Sequence, residues 1–167
     1  DTNVSTLQMS NVDGANYITN ETGIILDPIT VDGALFVTTE TGDITATQVN
    51  AISAPTTLTA EAGAIAAGDI NAGAQTVTLD ANNAITNIAG DIDAGILNIT
   101  DAASVGTTLA NLDTNVTTLQ MSNVDGGSYI TNEAGIILNP VSVNGTLNVT
   151  TEAGDITATD VDTSDDN

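Results

Sequence analysis

The residues of this chain that can do chemistry are its carboxylates. Its 167 residues include no Lys, Arg, His or Cys, against 22 Asp and Glu. Imidazole, thiol and amine chemistry are therefore absent, so no Ser-His-Asp array, no Cys-His pair and no Schiff base can be built. Two kinds of carboxylate chemistry remain to be weighed, the binding of hard cations through oxygen ligands and hydrolysis by paired carboxyl groups.

The first acidic pattern is a corner. Glu40-Thr41-Gly42-Asp43 returns as Glu152-Ala153-Gly154-Asp155. Glu21 and Glu133 hold the equivalent place one coil earlier, and Glu61 one coil later. If successive coils of chain stack, Glu21, Glu40 and Glu61 form a row about 4.8 Å apart. Such a row is either a Ca²⁺ site bridging coils or a solvated acidic edge. The second pattern is an Asp-Gly loop, SNVDGANYITN at 10–20 and SNVDGGSYITN at 122–132. It carries Asp13 and Asp125, and both tyrosines, Tyr17 and Tyr129. Its spacing matches neither an EF-hand nor a glycine-rich calcium nonapeptide, and it also reads as a structural loop with Tyr packed over the flank. The third is the terminal run Asp160, Asp162, Asp165 and Asp166, a calcium linker or a frayed acidic tail. The candidate calcium ligands are thus Asp13, Glu21, Glu40, Asp43, Glu61, Asp125, Glu133, Glu152 and Asp155. No catalytic or cofactor-binding residue is assigned, and no cofactor is required.

The charge of −22 removes whole classes of partner. Phosphate neutralisation needs cationic side chains, so nucleic acid is excluded, and attraction to anionic membranes fails on the same ground. No apolar run approaches 18 residues, so membrane insertion by a helix is not expected. No basic segment precedes an apolar stretch, so no signal peptide is visible. Polysaccharide cleavage by two carboxyls is disfavoured as well. Only Tyr17, Tyr129 and Phe36 are aromatic, which leaves few sugar platforms, and cations to hold a polyanion are missing. The chain is not expected to be an enzyme. The absence of Cys excludes disulfides and thiolate metal sites.

The elements that position these carboxylates are repeats. Residues 1–50 and 113–162 align without a gap at an offset of 112, with 37 of 50 positions identical. Residues 1–112 therefore form one full long unit and 113–167 a partial second one, ending in an acidic tail at 163–167. Inside the unit runs a shorter period. LFVTTETGDI (35–44) has weaker copies at 57–65, 76–85 and 97–105, each an alternating strand, a small polar corner and another apolar residue. The markers Ile18, Val37, Leu58, Leu79, Ile99, Ile130 and Val149 are mostly about 20 residues apart, the length of one parallel β-helix coil. The step from Ile99 to Ile130 carries about ten extra residues between Ser104 and Tyr129, with Met121 as the alternative marker. Ile25, Ile44, Ile65, Ile85 and Ile156 are expected to form a second inward ladder, and Val49, Ile70, Ile92 and Val161 a third. Phe36 becomes Asn148 while its neighbours stay apolar, so it points outward as an isolated apolar residue. Thr, Val, Asn, Asp and Gly disfavour helix. The one helix-like spacing, Leu109, Leu112, Val116 and Leu119, is read as strand and loop.

The strings VTTETGDI (37–44), LTAEAGAI (58–65) with GDINAG (68–73), and GDIDAG (90–95) resemble the repeats of filamentous-haemagglutinin-like adhesins and related giant bacterial β-strand-repeat surface proteins. The likeness covers most of 18–105 and 130–162. It implies a right-handed parallel β-helix, secretion and a role as a surface fibre.

The expectation is one all-β domain over 1–167, a parallel β-helix (β-solenoid) of about 20 residues per coil with one longer loop-bearing coil per unit. Its expected role is a structural module of an extracellular or cell-surface bacterial fibre, adhesin or coat, with itself as partner through end-to-end or lateral assembly. The alternative is calcium-dependent binding of a host receptor or glycan through the Tyr17 and Tyr129 loops.

Overall fold

A computed structural model describes residues 2–164. Its strands are β1 (Thr6–Val12), β2 (Asn16–Asn20), β3 (Ile24–Val31), β4 (Leu35–Thr39), β5 (Ile44–Asn50), β6 (Thr56–Ala60), β7 (Ile65–Asn71), β8 (Thr76–Ala81) and β9 (Ala84–Asn87). They continue as β10 (Ile92–Asp101), β11 (Ser104–Val105), β12 (Leu112–Val124), β13 (Ser128–Asn132), β14 (Ile136–Val143), β15 (Leu147–Thr151), β16 (Ile156–Ala158) and β17 (Val161–Asp162). The described residues contain no helix. Every named strand pairs in parallel with a strand of an adjacent coil, and those of the inner coils with strands of the coils both before and after. The molecule is a β-solenoid.

Stacking puts like on like. One ladder runs Ile18, Val37, Leu58, Leu79, Ile99, Met121, Val141, Val161. A second runs Ile24, Ile44, Ile65, Ile85, Val105. A third runs Met9, Ile29, Val49, Ile70, Ile92 and then Thr114. Away from the two ends these residues are buried, and each rung covers the next. Ala46, Ala60, Ala67, Ala72 and Ala81 are also fully buried. The interior is therefore narrow, which explains a core without aromatic rings.

The ladders correct three sequence expectations. Ile24, not Ile25, points inward. Ile24 is buried and Ile25 exposed, because two adjacent isoleucines in a strand face opposite sides. Ile99 pairs with Met121, while Ile130 pairs with Leu112 and Val149. Val161 stacks on Val141 in the Met121 ladder rather than in the Val49 ladder.

The second correction changes the meaning of the 112-residue unit. Five turns carry Ile18 to Met121, 103 residues on, yet its counterpart in the second unit is Ile130, nine residues further. Likewise five turns carry Met9 to Thr114, not to its counterpart Met121. The unit is five turns plus a fraction, so equivalent residues of the two units lie on different faces of the rod. The extra loop is correspondingly small. Val105 to Leu112 spans seven residues opposite two from Ser128 to Ile130, so five residues project, within 106–111. Leu109 stands at the tip, 98% exposed, and takes no part in a helix.

Corners let backbones stack directly. Gly42 has φ +88°, and a Cβ there would lie 2.7 Å from Gly23 N, while one on Gly63 would strike the Gly42 carbonyl. Pro55 lies just before β6, at a corner, whereas Pro28 and Pro140 lie within β3 and β14. In β3 the four residues from Leu26 to Ile29 oppose the three from Leu7 to Met9, so one extra residue is taken up in a bulge around Pro28.

Where a strand ladder lapses, Asn side chains replace it. Asn132 is buried; its Oδ1 accepts from Val116 N at 2.9 Å and Thr114 Oγ1 at 2.8 Å. Its Nδ2 donates to Val116 O at 3.1 Å and Ala134 O at 2.9 Å. Asn20 repeats this with Val4 and Thr2. By contrast, Thr56 lies buried between Leu35 and Val77 with its hydroxyl unpaired. These two inward polar groups are expected to respond with opposite sign. Asn132→Leu should cost about 2–3 kcal/mol, because it orphans buried backbone groups, whereas Thr56→Val should stabilise by about 1 kcal/mol. Denaturant unfolding of both variants measures this.

Candidate functional site

The corner glutamates stack in adjacent coils. Glu40 N donates to Asn20 O at 3.0 Å, Thr41 N to Glu21 O at 3.1 Å, and Glu61 N to Thr39 O at 3.0 Å. In the second unit Glu133 N reaches Thr114 O at 2.9 Å and Glu152 N reaches Asn132 O at 2.9 Å. Among the described residues, however, no three of Asp, Glu, His or Cys converge as a metal-holding group. Single carboxylates are instead met by neutral donors, mostly from neighbouring coils. Asp43 Oδ1 accepts from Ala64 N at 2.8 Å, and Glu21 Oε2 from Asn3 Nδ2 at 3.2 Å. Asp125 Oδ1 takes a long bond from Asn144 Nδ2, 3.4 Å. Asp80 and Asp93 follow the same rule with Thr100 and Asn115. With no basic residue in the sequence, Asn and Thr ladders do the work that ion pairs do elsewhere.

Asp13 and Asp155 occupy their corners as expected, Asp13 beside Gly14 (φ +78°) and Asp155 beside Gly154 (φ +82°). The Asp155 carbonyl accepts from Ile136 N at 3.0 Å. Of the terminal acidic run, Asp162 is held below the usual carboxylate range by hydrogen bonds from Ser164. Asp165 and Asp166 lie outside the described residues.

The structure assembles an acidic group that the sequence reading missed. Asp91, Asp113, Glu133 and Glu152, with Thr114 and Thr131, line a hollow of about 150 Å³. Asp91 and Asp113 come from the end of the first unit and start of the second, and the fractional turn brings Glu133 and Glu152 beside them. Burial pushes the Asp91 carboxyl up, and the charges of Asp113, Asp93 and Asp69 add to it. The Asp91 charge pushes Glu133 up, and burial and Asp93 add to that. Asp113 is tied by Asn87 Nδ2 at 2.7 Å. No local motif could have revealed this group, because it depends on which coil sits on which.

The aromatic residues divide. Tyr17 and Phe36 stack on the outer surface with ring centroids 4.8 Å apart and planes 5° apart. Phe36 is thus outward as expected, but it is not isolated. Tyr17 is 76% exposed. In the second unit Asn148 stands where Phe36 does, so Tyr129 pairs with Asn148 instead. A second hollow, about 440 Å³, lies beside the projecting turn and includes Ile88, Leu109, Asn111 and Asp113.

Comparison with protein-family models, with curated proteins and with solved structures found no match for this chain.

The raised pair fixes a pH dependence. In the folded chain Asp91 and Glu133 hold their protons more tightly than in the unfolded chain. Their contribution to stability is full below the ordinary carboxyl range and is lost as pH rises through their raised values. Glu133→Gln removes the like charge beside Asp91. It should raise the melting temperature at neutral pH and leave it nearly unchanged below about pH 4, as thermal unfolding across that range will register.

Proposed function

We propose that the chain is a structural module of an extracellular bacterial fibre, adhesin or surface coat. The observation that carries this reading is the apolar ladder that runs unbroken from Ile18 to Val161 through both units, combined with a sequence whose only charged side chains are acidic. A rod of this kind bears load along its axis, because successive coils are joined by backbone hydrogen bonds that lie parallel to that axis. Its charge keeps it hydrated and resists lateral collapse. The absence of Lys and Arg leaves no cleavage site for trypsin-like proteases, an advantage outside the cell. The repeat resemblance to filamentous-haemagglutinin-like adhesins points the same way. Antibodies against the chain should label the surface of intact source cells in electron micrographs. Labelling confined to permeabilised cells would overturn the reading.

A second reading has its own observations. The exposed Tyr17–Phe36 stack offers a flat apolar platform suited to the C–H face of a neutral sugar, and the Asp91–Glu133 group would be relieved of repulsion by Ca²⁺. On this reading the chain is a calcium-dependent binder of a receptor or glycan. It requires Ca²⁺ to raise the melting temperature at neutral pH and EDTA to reverse the gain. Identical melting curves with and without Ca²⁺ would remove calcium from the account.

A further inference from the structure

The turn between β14 and β15 holds the one asparagine of the chain that is followed by glycine, Asn144-Gly145. Asparagine is a thermolabile residue. It breaks down chiefly when the main-chain nitrogen of the next residue attacks its side-chain amide. A following side chain hinders that approach, and glycine has none. Asn144 is exposed, and among the described residues its side chain is held only by the long bond to Asp125 Oδ1, 3.4 Å. The attacking group is free as well. Asn144 N is bonded to Val124 O at 2.7 Å, but the Gly145 N–H reaches no backbone carbonyl among the described residues.

Stacking requires the glycine and not the asparagine. A Cβ on Gly145 would lie 2.8 Å from the Gly126 carbonyl, and one on Gly33 would strike the Gly14 carbonyl. Gly145 and Gly33 are equivalent in the two units, yet the first unit carries Asp32 where the second carries Asn144. The backbone there is held alike, with Asp32 N bonded to Val12 O at 3.0 Å. We propose that Asn144 is a site of self-modification, at which the chain turns a neutral donor into a carboxylate and loosens its own coil contact. Gly145 N forms a bond to Asn144 Cγ and gives up its proton. The Cγ–Nδ2 bond breaks, and ammonia leaves with that proton, which closes a five-membered succinimide. Water then opens the ring. Attack at Cγ gives an aspartyl residue. Attack at the main-chain carbonyl gives an isoaspartyl residue, which carries the chain through its side chain and adds a methylene to it. Nothing is oxidised or reduced, and water is the only co-reactant.

The aspartyl product reproduces the Asp32-Gly33 turn of the first unit. It also removes the Nδ2 donor that faces Asp125 and sets a second carboxylate there, so repulsion replaces a charge-assisted hydrogen bond. The isoaspartyl product lengthens a turn whose glycine has no room for even a Cβ over Gly126. Either product weakens the hold of this turn on the coil beneath. The inference goes beyond the fibre reading and does not depend on it.

The test holds the folded chain Asp1–Asn167 at mildly alkaline pH and samples it over time. The chain has no Lys or Arg, so a glutamate-specific protease is used, and cleavage after Glu133 and Glu152 isolates the site in one peptide. Mass spectrometry should show Asn144 gaining the mass difference between hydroxyl and amino groups, several-fold faster than any other asparagine. The same peptide should become a substrate for protein isoaspartyl methyltransferase. Asn144→Gln, whose longer side chain disfavours ring closure, should show neither change. Asn144→Asp mimics the aspartyl product. It should melt below the unaltered chain at low salt, with the gap narrowing as salt screens the paired carboxylates. A free peptide of residues 141–147 is followed alongside. Conversion of that peptide with none in the folded chain would show that the fold protects Asn144 and would overturn the inference. Conversion spread evenly over several asparagines would overturn it too, as would an Asn144→Asp chain that melts together with the unaltered one.

Discussion

Parallel stacking of coils about 4.8 Å apart is the constraint on which everything else in this molecule depends. It sets each residue directly over a residue of the coil before. Inside the rod that alignment is favourable. Ile24, Ile44, Ile65 and Ile85 shield one another from water, and the burial of each adds to a continuous apolar column. Outside the rod the same alignment is unfavourable for like charges. Glu40 N bonds to the residue just before Glu21, so the two acidic corners sit one above the other, and neither has a cation to pair with.

The chain answers that problem with neutral donors and with placement. Asn3, Asn87, Asn115, Thr100 and the Ala64 N–H each reach a carboxylate one coil away. A hydrogen bond to a charged group contributes more than one between neutral groups, so these contacts both hold the coils and offset the charge. Asp91, Glu133 and Glu152 crowd without such relief, and there two carboxyls hold their protons more tightly than usual. That crowding lies where two units meet. It arises from the fractional turn rather than from any local pattern of residues.

Much of the fold was legible in the sequence because a strand in a solenoid records its own environment. Leu35, Val37 and Thr39 point in while Phe36 and Thr38 point out, and the change of Phe36 to Asn148 in the second unit identifies the outer face without a structure. Length along the chain was a poorer guide. The offset of 112 looked like a whole number of coils, since coil lengths vary and a 31-residue step could be imagined between Ile99 and Ile130. The pairing of Ile99 with Met121 depends on which of two apolar residues lies over another, and both satisfy the alternating pattern. Ile24 and Ile25 posed the same problem on a smaller scale. The acidic candidates were legible as corners, but whether corners converge depends on angle and phase, which spacing does not encode. Asn20 and Asn132 read as polar loop residues, although both are buried and bonded to the coil before.

The stacking register between the two units is the central claim, and a disulfide tests it most directly. The chain has no cysteine of its own, so an introduced pair reports without interference. Asn98 lies over Gln120 in the register seen here, whereas a whole-coil repeat would set Asn98 against Tyr129. Adjacent parallel strands hold paired Cα atoms within the span of about 4.4–6.8 Å that a disulfide bridges. Under mild oxidation the doubly substituted chain Asn98→Cys, Gln120→Cys should cross-link within single molecules, and Asn98→Cys, Tyr129→Cys should not. Cross-linking of the second pair in place of the first would show that the units repeat in whole turns and would contradict the fractional turn.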